Sequence, residues 1–339
     1  MNTIPKIILT GFADEGVCQQ PNKNMVEQFS AYAAIGLQYY SIRFIDAGSG
    51  TKNVMNLTMD DIQKIRAAQN DFGLNVSSIG SPIGKVKLVD EEDGTANRFV
   101  PFPQYMQEVE RACEIAHVFE SKLIRGFSFY HPRGKNPRDY MSQAVDHLGA
   151  IAETCHRSDL TFGLEVEPNL VGENGWLLAE IFDKVSHPAM VLVFDAGNLV
   201  IQGYNAVEIL EQFRLMLPGM GWMHVKDYRS PKPILPGDPV DEDQLKNFVP
   251  VNLGDAGHEA IFRELKLSLP AIEAKLKRRG IPGFFLDLEP HLKGGGQFGG
   301  YSGPDGVGVA CRALCGLLDY VGIEYHLRDF NDILADRGF

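Results

Sequence analysis

Short apolar runs alternate with helical patterns along almost the whole chain. Eight such runs occur: Lys6–Phe12, Gln38–Ile45, Leu74–Ile79, Lys122–Phe129, Leu160–Glu167, Met190–Asp195, Gly221–His224 and Gly283–Glu289. Strands that alternate with helices in this way form parallel sheets with right-handed crossovers. Because eight is the number that closes a (β/α)8 barrel, we predict an α/β fold, a single TIM barrel over residues 1–339.

The predicted helices begin and end at residues suited to those places. They are expected at Met25–Ile35, Asp60–Phe72, Phe102–Phe119, Tyr140–His156, Trp176–Val185, Ala206–Leu215, Ala260–Arg279 and Val307–Tyr320. Thr58 is a suitable N-cap for the second helix, and Gly36 and Gly73 follow the first two helices as C-terminal glycines. A doubly wound sheet is the rival fold, but residues 11–16 lack the G-x-G-x-x-G loop that usually follows its first strand.

Two stretches interrupt the alternation and predict long loops after strands seven and eight. Residues 228–257 are rich in proline and acidic side chains, and residues 293–306 contain seven glycines. In a barrel such loops lie at the C-terminal face, where active sites are built. The second loop could hold a phosphate beside Lys293, or its Phe298 and Tyr301 could close as a lid. We favour the lid, because phosphate usually recruits clustered basic residues.

The composition of the chain argues against nucleic acid and membrane as partners. The chain has 339 residues, with 32 lysines and arginines against 44 aspartates and glutamates, so its net charge is −12. Phosphate backbones are bound through clustered basic residues, which argues against nucleic acid. No run of roughly 18 apolar residues predicts a membrane span. The five cysteines form no CxxC pair, as is typical of a reducing compartment, and we expect a cytoplasmic protein.

Acidic or imidazole side chains end four consecutive strands. Strands five to eight finish with Glu167, Asp195, His224 and Glu289. Unpaired carboxylates at a barrel mouth are costly, and one divalent cation would offset all of them. Three carboxylates and an imidazole suit Mn²⁺, Mg²⁺, Co²⁺ or Zn²⁺. Taken singly, each residue could instead be a helix cap, a core histidine or an ion-pair partner, but four in succession favour a metal site.

The motifs around these residues resemble those of a known family. They read Glu167-Pro-Asn, Phe194-Asp-Ala-Gly-Asn198, His224-Val-Lys-Asp227 and Leu288-Glu-Pro-His291. They are similar to motifs of the xylose-isomerase-like TIM barrels, which include sugar isomerases, ketose 3-epimerases, inosose dehydratases and endonuclease-IV-type repair enzymes. The resemblance covers nearly the whole chain. It implies that one divalent metal ion is held by the four strand-end residues named above.

Strand five offers two glutamates, and the choice between them is open. Glu165 and Glu167 are two residues apart and point to the same side of a strand. We choose Glu167, because it lies nearer the strand end and precedes Glu173 by six residues, a spacing that resembles the epimerases. Glu165 would then lie lower in the barrel, paired with a base such as Arg125 or Arg43.

The resemblance also implies a chemistry. Glu167 and Glu289 would remove a proton beside a metal-bound carbonyl of a keto-sugar and return it on the other face, through a cis-enediolate, as a sugar isomerase or epimerase does. The residues expected to bind the carbohydrate are Glu173, Asn198, Lys226, Arg229, His291 and His131. Asn198 replaces a histidine of the epimerases, and Arg229 stands one residue short of their substrate-binding arginine, so the sugar is left open.

Three alternatives remain. Proton abstraction beside a ketone also permits elimination, so a metal-dependent dehydratase or lyase acting on a 3-keto-sugar or keto-glycoside is the nearest, with His131 or His291 as proton donor. An endonuclease-IV-like phosphodiesterase is disfavoured by the acidic charge. A non-catalytic barrel that binds a sugar is the third. The sequence leaves open whether the chain forms homo-oligomers, for which residues 228–257 are the segment to watch.

Overall fold

Eight parallel strands form the main sheet of the computed structural model, which describes residues 7–17, 22–235, 240, 246–292, 305–336 and 338. The strands are β1 Ile7–Gly11, β2 Tyr39–Ile42, β3 Asn75–Ile83, β4 Leu123–Gly126, β5 Thr161–Glu165, β6 Met190–Asp195, β7 Met220–Val225 and β8 Phe284–Leu288. Their spatial order is β1-β8-β7-β6-β5-β4-β3-β2. A parallel bridge between Phe12 and Ser41 joins the two edges, so the sheet is a nearly closed barrel. The predicted (β/α)8 fold is confirmed.

Helices connect the strands. They are α1 Met25–Ala34, α2 Met59–Asp71, α3 Phe102–Val118, α4 Met141–Arg157, α5 Gly175–Val185, α6 Ala196–Val200, α7 Ala206–Met216, α8 His258–Lys277, α9 Asp305–Val321 and α10 Phe330–Asp336. The eight predicted helices are all present, with ends shifted by at most two residues. The two short helices α6 and α10 were not predicted from the sequence. No helix in the described part of the chain is long and apolar enough to cross a membrane.

The residues predicted to flank the first two helices lie where the sequence places them. Thr58 and Asp61 form a capping box at the start of α2, in which each side chain accepts a hydrogen bond from the other residue's backbone N–H. This arrangement satisfies two of the donors that a helix leaves unpaired at its first turn. Gly36 and Gly73 follow α1 and α2 with φ of 82° and 65°. Such left-handed backbone is open to glycine without a steric penalty.

The barrel strands are buried on both faces. Every residue of β6 and of β7 is buried, as expected where a parallel sheet is covered by helices outside and by side chains inside. Trp222 of β7 fills part of this interior and is fully buried. Its ring lies against Gly163 of β5, where a Cβ atom would come within 1.9 Å of the indole. Glycine at this position therefore makes room for the tryptophan.

The connection after β7 begins with a short ribbon. Asp227–Tyr228 pairs antiparallel with Phe248–Val249. The Asp227 carboxylate accepts hydrogen bonds from the backbone N–H groups of Tyr228 and Ala256 and lies 3.0 Å from His258 Nδ1, which fixes the base of the connection to the start of α8. Residues 236–239 and 241–245 lie outside the described residues. So do residues 293–304 of the predicted glycine-rich loop, including Lys293, Phe298 and Tyr301.

Candidate functional site

Four buried side chains meet at the C-terminal end of the barrel. Glu165 and Asp195 are the last residues of β5 and β6, His224 is the penultimate residue of β7, and Glu289 directly follows β8. One potential ligand atom from each lies within 4.8 Å of those from the others. None of the four is more than 2% exposed. Because parallel strands end at the same edge, consecutive strands deliver these side chains to one point.

The strand-five member of this group is Glu165, where the sequence pattern predicts Glu167. The reason is that β5 ends at Glu165, two residues earlier than predicted, so Glu167 lies in the following loop. There its carboxylate accepts a hydrogen bond of 2.7 Å from Asn198 Nδ2 and pairs with the Lys85 ammonium. Arg125 Nη1 lies 3.2 Å from Glu165 Oε2, so one of the two bases considered as its partner does contact it.

The charges of the group depend on one another. Burial alone would lower the pKa of His224, but the Glu165 carboxylate, whose Oε1 lies 2.9 Å from His224 Nδ1, raises it to about 9. Burial would raise the pKa of Glu165, yet His224 and Arg125 lower it to about 2. The pKa of Asp195 is raised to about 6, because burial outweighs the neighbouring Lys226 ammonium. Carboxylates and cations thus set one another's pKa values in a buried site.

The donor set fits a divalent cation. Asp195 Oδ2 is buried and forms no hydrogen bond within the residues that the structure describes, and its nearest cationic neighbour is the Lys226 ammonium, with Nζ 3.1 Å away. Three carboxylates and one imidazole nitrogen, converging within 4.8 Å, offer the oxygen and nitrogen ligands that Mg²⁺, Mn²⁺, Co²⁺ and Zn²⁺ accept. The residues that could hold the ion are therefore Glu165, Asp195, His224 and Glu289.

Two basic side chains contact the carboxylate of Glu289 from different sides. Arg43 Nη1 lies 3.0 Å from its Oε1, and Lys226 Nζ lies 2.7 Å from its Oε2. Both basic residues are buried. Arg43 also pairs with Asp14 and Glu15 of the segment after β1. Against the effect of burial, Lys226 holds the pKa of Glu289 well below its usual range, together with His291, His224 and Arg43.

His291 lies beside this group in a strained backbone conformation. Its φ is 41°, in the left-handed region that non-glycine residues seldom adopt. Its Nδ1 lies 2.7 Å from Glu15 Oε2, and its Nε2 lies 3.7 Å from Glu289 Oε1. The Nε2 atom is buried and forms no hydrogen bond within the described ranges. His291 is therefore held close to Glu289 with one ring nitrogen uncommitted.

Three predicted substrate residues, His131, Glu173 and Arg229, make their contacts away from the four-residue group. His131 Nε2 lies 3.7 Å from Glu173 Oε2, so these two residues are near each other. Arg229 is exposed, and its guanidinium donates a hydrogen bond to the backbone carbonyl of Leu253 within its own connection. By contrast, Asn198 is buried and contacts Glu165 as well as Glu167, with Nδ2 at 3.4 Å from Glu165 Oε1.

Four charged residues at the barrel mouth were not identified from the sequence, namely Asp14, Glu15, Lys85 and Asp287. Asp14 and Glu15 lie three and four residues after the end of β1, and Lys85 lies two residues after the end of β3, so a charged residue shortly after a strand is the signal that would have found them. Asp287 lies inside β8, level with His224 in the register of the sheet, and pairs with the Ser41 hydroxyl. Burial raises the pKa of Asp287 to about 7. The signal for Asp287 in the sequence is an acidic residue inside an otherwise apolar strand.

Solved structures of other proteins share the fold of this chain. No curated protein matches the chain. Among solved structures, a probable 3-DHS dehydratase from Bacillus anthracis has 15% identity and a TM-score of 0.60, over 91% of this chain and 98% of that one. A 3-keto-D-glucoside 4-epimerase from E. coli has 13% identity and a TM-score of 0.57, over 93% and 100%. At these identities the likeness concerns the fold alone.

A third structure and a sequence match complete the comparison. A xylose isomerase-like TIM barrel protein from Mycobacterium smegmatis, solved in complex with magnesium, has 16% identity and a TM-score of 0.60, over 93% of this chain and 96% of that one. The sequence model of the xylose isomerase-like TIM barrel family matches residues 29–291, which include all four residues of the group. This chain belongs to the xylose isomerase-like TIM barrel family.

Proposed function

We propose that the chain is a divalent-metal-dependent isomerase or epimerase of a keto-sugar or a sugar derivative. The observation that carries the proposal is the convergence of Glu165, Asp195, His224 and Glu289 within 4.8 Å at the C-terminal mouth of the barrel. Barrel enzymes place their active sites at this end. A sugar epimerase and a magnesium complex with the same fold add support.

In this proposal the four residues hold Mn²⁺, Mg²⁺, Co²⁺ or Zn²⁺. A cation held there would act as a Lewis acid, polarising a carbonyl and making the neighbouring C–H more acidic. Side chains of the protein orient the reacting groups and carry the proton. Arg125 orients the Glu165 carboxylate, and Arg43 orients that of Glu289, through the contacts described above. These two glutamates come from β5 and β8, which are separated by β6 and β7 in the barrel.

Glu165 and Glu289 are the proposed proton carriers. One carboxylate takes the proton from the carbon beside the carbonyl, and the other, in its acid form, gives a proton to the opposite face of the same carbon. No carbon–oxygen bond is broken, so substrate and product are isomers. The positions of Asn198, Lys226 and His291 beside the group suit them to orient sugar hydroxyls. Glu165 replaces Glu167 in the role that the sequence pattern suggests.

Elimination is the second candidate function. After the same proton removal, a β-hydroxyl or an aglycone would leave if a neighbouring acid protonated its oxygen. His291 favours this candidate, because its Nε2 is buried, accepts or donates no hydrogen bond within the described residues, and lies 3.7 Å from Glu289 Oε1. The chain would then be a dehydratase or lyase of a 3-keto-sugar or keto-glycoside, with the same metal group.

The test is proton exchange at the carbon beside a carbonyl. The metal-stripped chain is reloaded with each of the four ions and incubated in D₂O with a panel of free ketoses and 3-keto-glycosides, and products are followed by NMR. The proposal expects metal-dependent deuterium incorporation together with an epimer or isomer. Loss of water or aglycone would instead support elimination. Absence of exchange with every ion and substrate would contradict both.

Two glutamate-to-glutamine variants, one at the site and one at the surface as its control, test whether exchange depends on the four-residue group. Glu165→Gln removes one proposed metal ligand and proton carrier, and exchange should fall to the background rate. Glu108→Gln alters a surface glutamate that pairs with Arg98, and exchange should match the unaltered protein. Equal exchange rates in both variants would show that the activity does not depend on the four-residue group.

A further inference from the structure

Lys226 is almost completely buried among the carboxylates of the four-residue group. It directly follows β7, two residues beyond His224, and is 3% exposed. Its Nζ lies 2.7 Å from Glu289 Oε2 and 3.1 Å from Asp195 Oδ2. The ammonium group therefore bridges two carboxylates that come from different strands and belong to the four-residue group.

The two oxygens that Lys226 contacts are those that face the histidine. Asp195 Oδ2 and Glu289 Oε2 each lie 3.9 Å from His224 Nδ1. A cation coordinated by His224 Nδ1 would need these same oxygens. Arg43 contacts the other oxygen of Glu289, Oε1, so it leaves the facing oxygen open. The ammonium of Lys226 and a divalent cation thus compete for the same pair of atoms.

We propose that Lys226 is a built-in counter-ion that stabilises the metal-free site and lowers its affinity for a divalent cation. The inference rests on the metal site proposed above. Buried carboxylates without a partner are strongly destabilising, and an ammonium that bridges two of them removes most of that cost. A divalent cation must displace the ammonium from both oxygens, and it is repelled by the positive charge that stays nearby.

Replacing Lys226 should therefore lower the stability of the metal-free protein and raise its affinity for a divalent cation. Lys226→Met keeps the length and the apolar stem of the side chain but removes the charge. Without metal, Asp195 and Glu289 lose the bridging cation, so the variant should unfold at a lower temperature than the unaltered chain. With metal, the competitor is gone, so the variant should bind the ion at least about tenfold more tightly. A side chain that merely packs would weaken both states.

The experiment is calorimetric titration of the metal-stripped full chain with Mn²⁺. The unaltered protein, Lys226→Met and Lys64→Met are compared. Lys64 pairs with Asp60 on the surface of α2, so its variant controls for the loss of one positive charge. Tighter binding by Lys226→Met alone supports the proposal. Equal or weaker binding by Lys226→Met overturns it and leaves the metal site standing. Failure of all three proteins to bind Mn²⁺ overturns the metal site and this inference together.

A second measurement covers the case in which metal-free Lys226→Met does not fold. Lys226→Gln and the unaltered protein are both purified with Mn²⁺ bound, and the release of the ion to an excess of chelator is timed. Slower release from Lys226→Gln supports a competing ammonium, because the departing ion is no longer replaced by Lys226. Release at the same rate or faster overturns the proposal.

Discussion

His224 Nδ1 lies 2.9 Å from Glu165 Oε1, and both side chains are almost completely buried. This contact links the end of β5 to the end of β7 across β6. It selects the ring nitrogen that faces the four-residue group, since the other contacts of His224 with Asp195 and Glu289 involve the same Nδ1 atom. It also identifies Glu165, in place of Glu167, as the glutamate next to the histidine.

Glu165, at the end of β5, and Glu167, in the following loop, should respond differently to the same substitution. Glu165→Gln removes a charged ligand from the group, so we expect Mn²⁺ affinity to fall by at least about a hundredfold. Glu167→Gln changes a residue bound to Asn198 and Lys85, so the fall should stay within about tenfold. Titration of the metal-stripped variants measures both. A larger loss in Glu167→Gln would restore the assignment that the sequence favours.

Metal binding should release a proton near neutral pH. The pKa of His224 is raised to about 9 in the metal-free protein, above the ordinary value, so the ring carries a proton at pH 7. Protonated His224 stabilises the metal-free fold below pH about 6.5, and this contribution is lost as the pH rises through about 9. A coordinated nitrogen cannot keep its proton.

Affinity should therefore rise with pH until about 9 and then level off. Titration calorimetry in buffers of different ionisation enthalpy counts the released protons, and we expect about one per ion at neutral pH. Asp195, with a pKa of about 6, adds to the release only at lower pH. Binding without proton release, at an affinity independent of pH, would show that His224 is not a ligand.

Arg43 should be important for stability as well as for the site. It pairs with Asp14, Glu15 and Glu289 while buried. Arg43→Met leaves these carboxylates without that cation, which should cost about 3–5 kcal/mol of unfolding free energy. Denaturant unfolding of the metal-free protein measures the loss. Arg98→Met breaks an exposed pair with Glu108 and should cost less than about 1 kcal/mol; similar losses in the two variants would contradict the role given to Arg43.

The capping box of α2 gives a prediction that is independent of the site. Thr58→Ala removes the hydroxyl that accepts a hydrogen bond from the Asp61 N–H, and we expect about 1 kcal/mol less unfolding free energy. Thr58→Ser keeps the hydroxyl and should recover most of the loss. Denaturant unfolding distinguishes the two variants, and equal stability of Ala and Ser at this position would rule out the cap as the cause.

The fold was predictable because its signals are local and repeated. Each barrel strand is a short apolar run. The helix start at Thr58 follows from its side-chain cap, and the helix ends at Gly36 and Gly73 follow from the left-handed backbone that glycine adopts. Three of the four grouped residues, Asp195, His224 and Glu289, were also predictable, since a polar residue at the end of a buried parallel strand has few other places to point.

The remaining features depend on the exact strand end and on contacts between distant segments. Glu165 and Glu167 point to the same side of an extended chain, and only the end of β5 at Glu165 decides between them. The bridging position of Lys226 depends on β6 and β8 being on either side of β7. The cluster of Asp14, Glu15 and Arg43 joins the segments after β1 and β2, and no spacing in the sequence encodes that meeting.

The most direct test of the account is a crystal structure of the Mn²⁺-loaded protein with anomalous diffraction data. The account predicts an anomalous peak at the C-terminal mouth of the barrel, bound by Glu165, Asp195, His224 through Nδ1, and Glu289, with the Lys226 ammonium moved away from Asp195 Oδ2 and Glu289 Oε2. A peak coordinated by Glu167 in place of Glu165, or no peak at this group in crystals of protein that binds Mn²⁺ in solution, would contradict it.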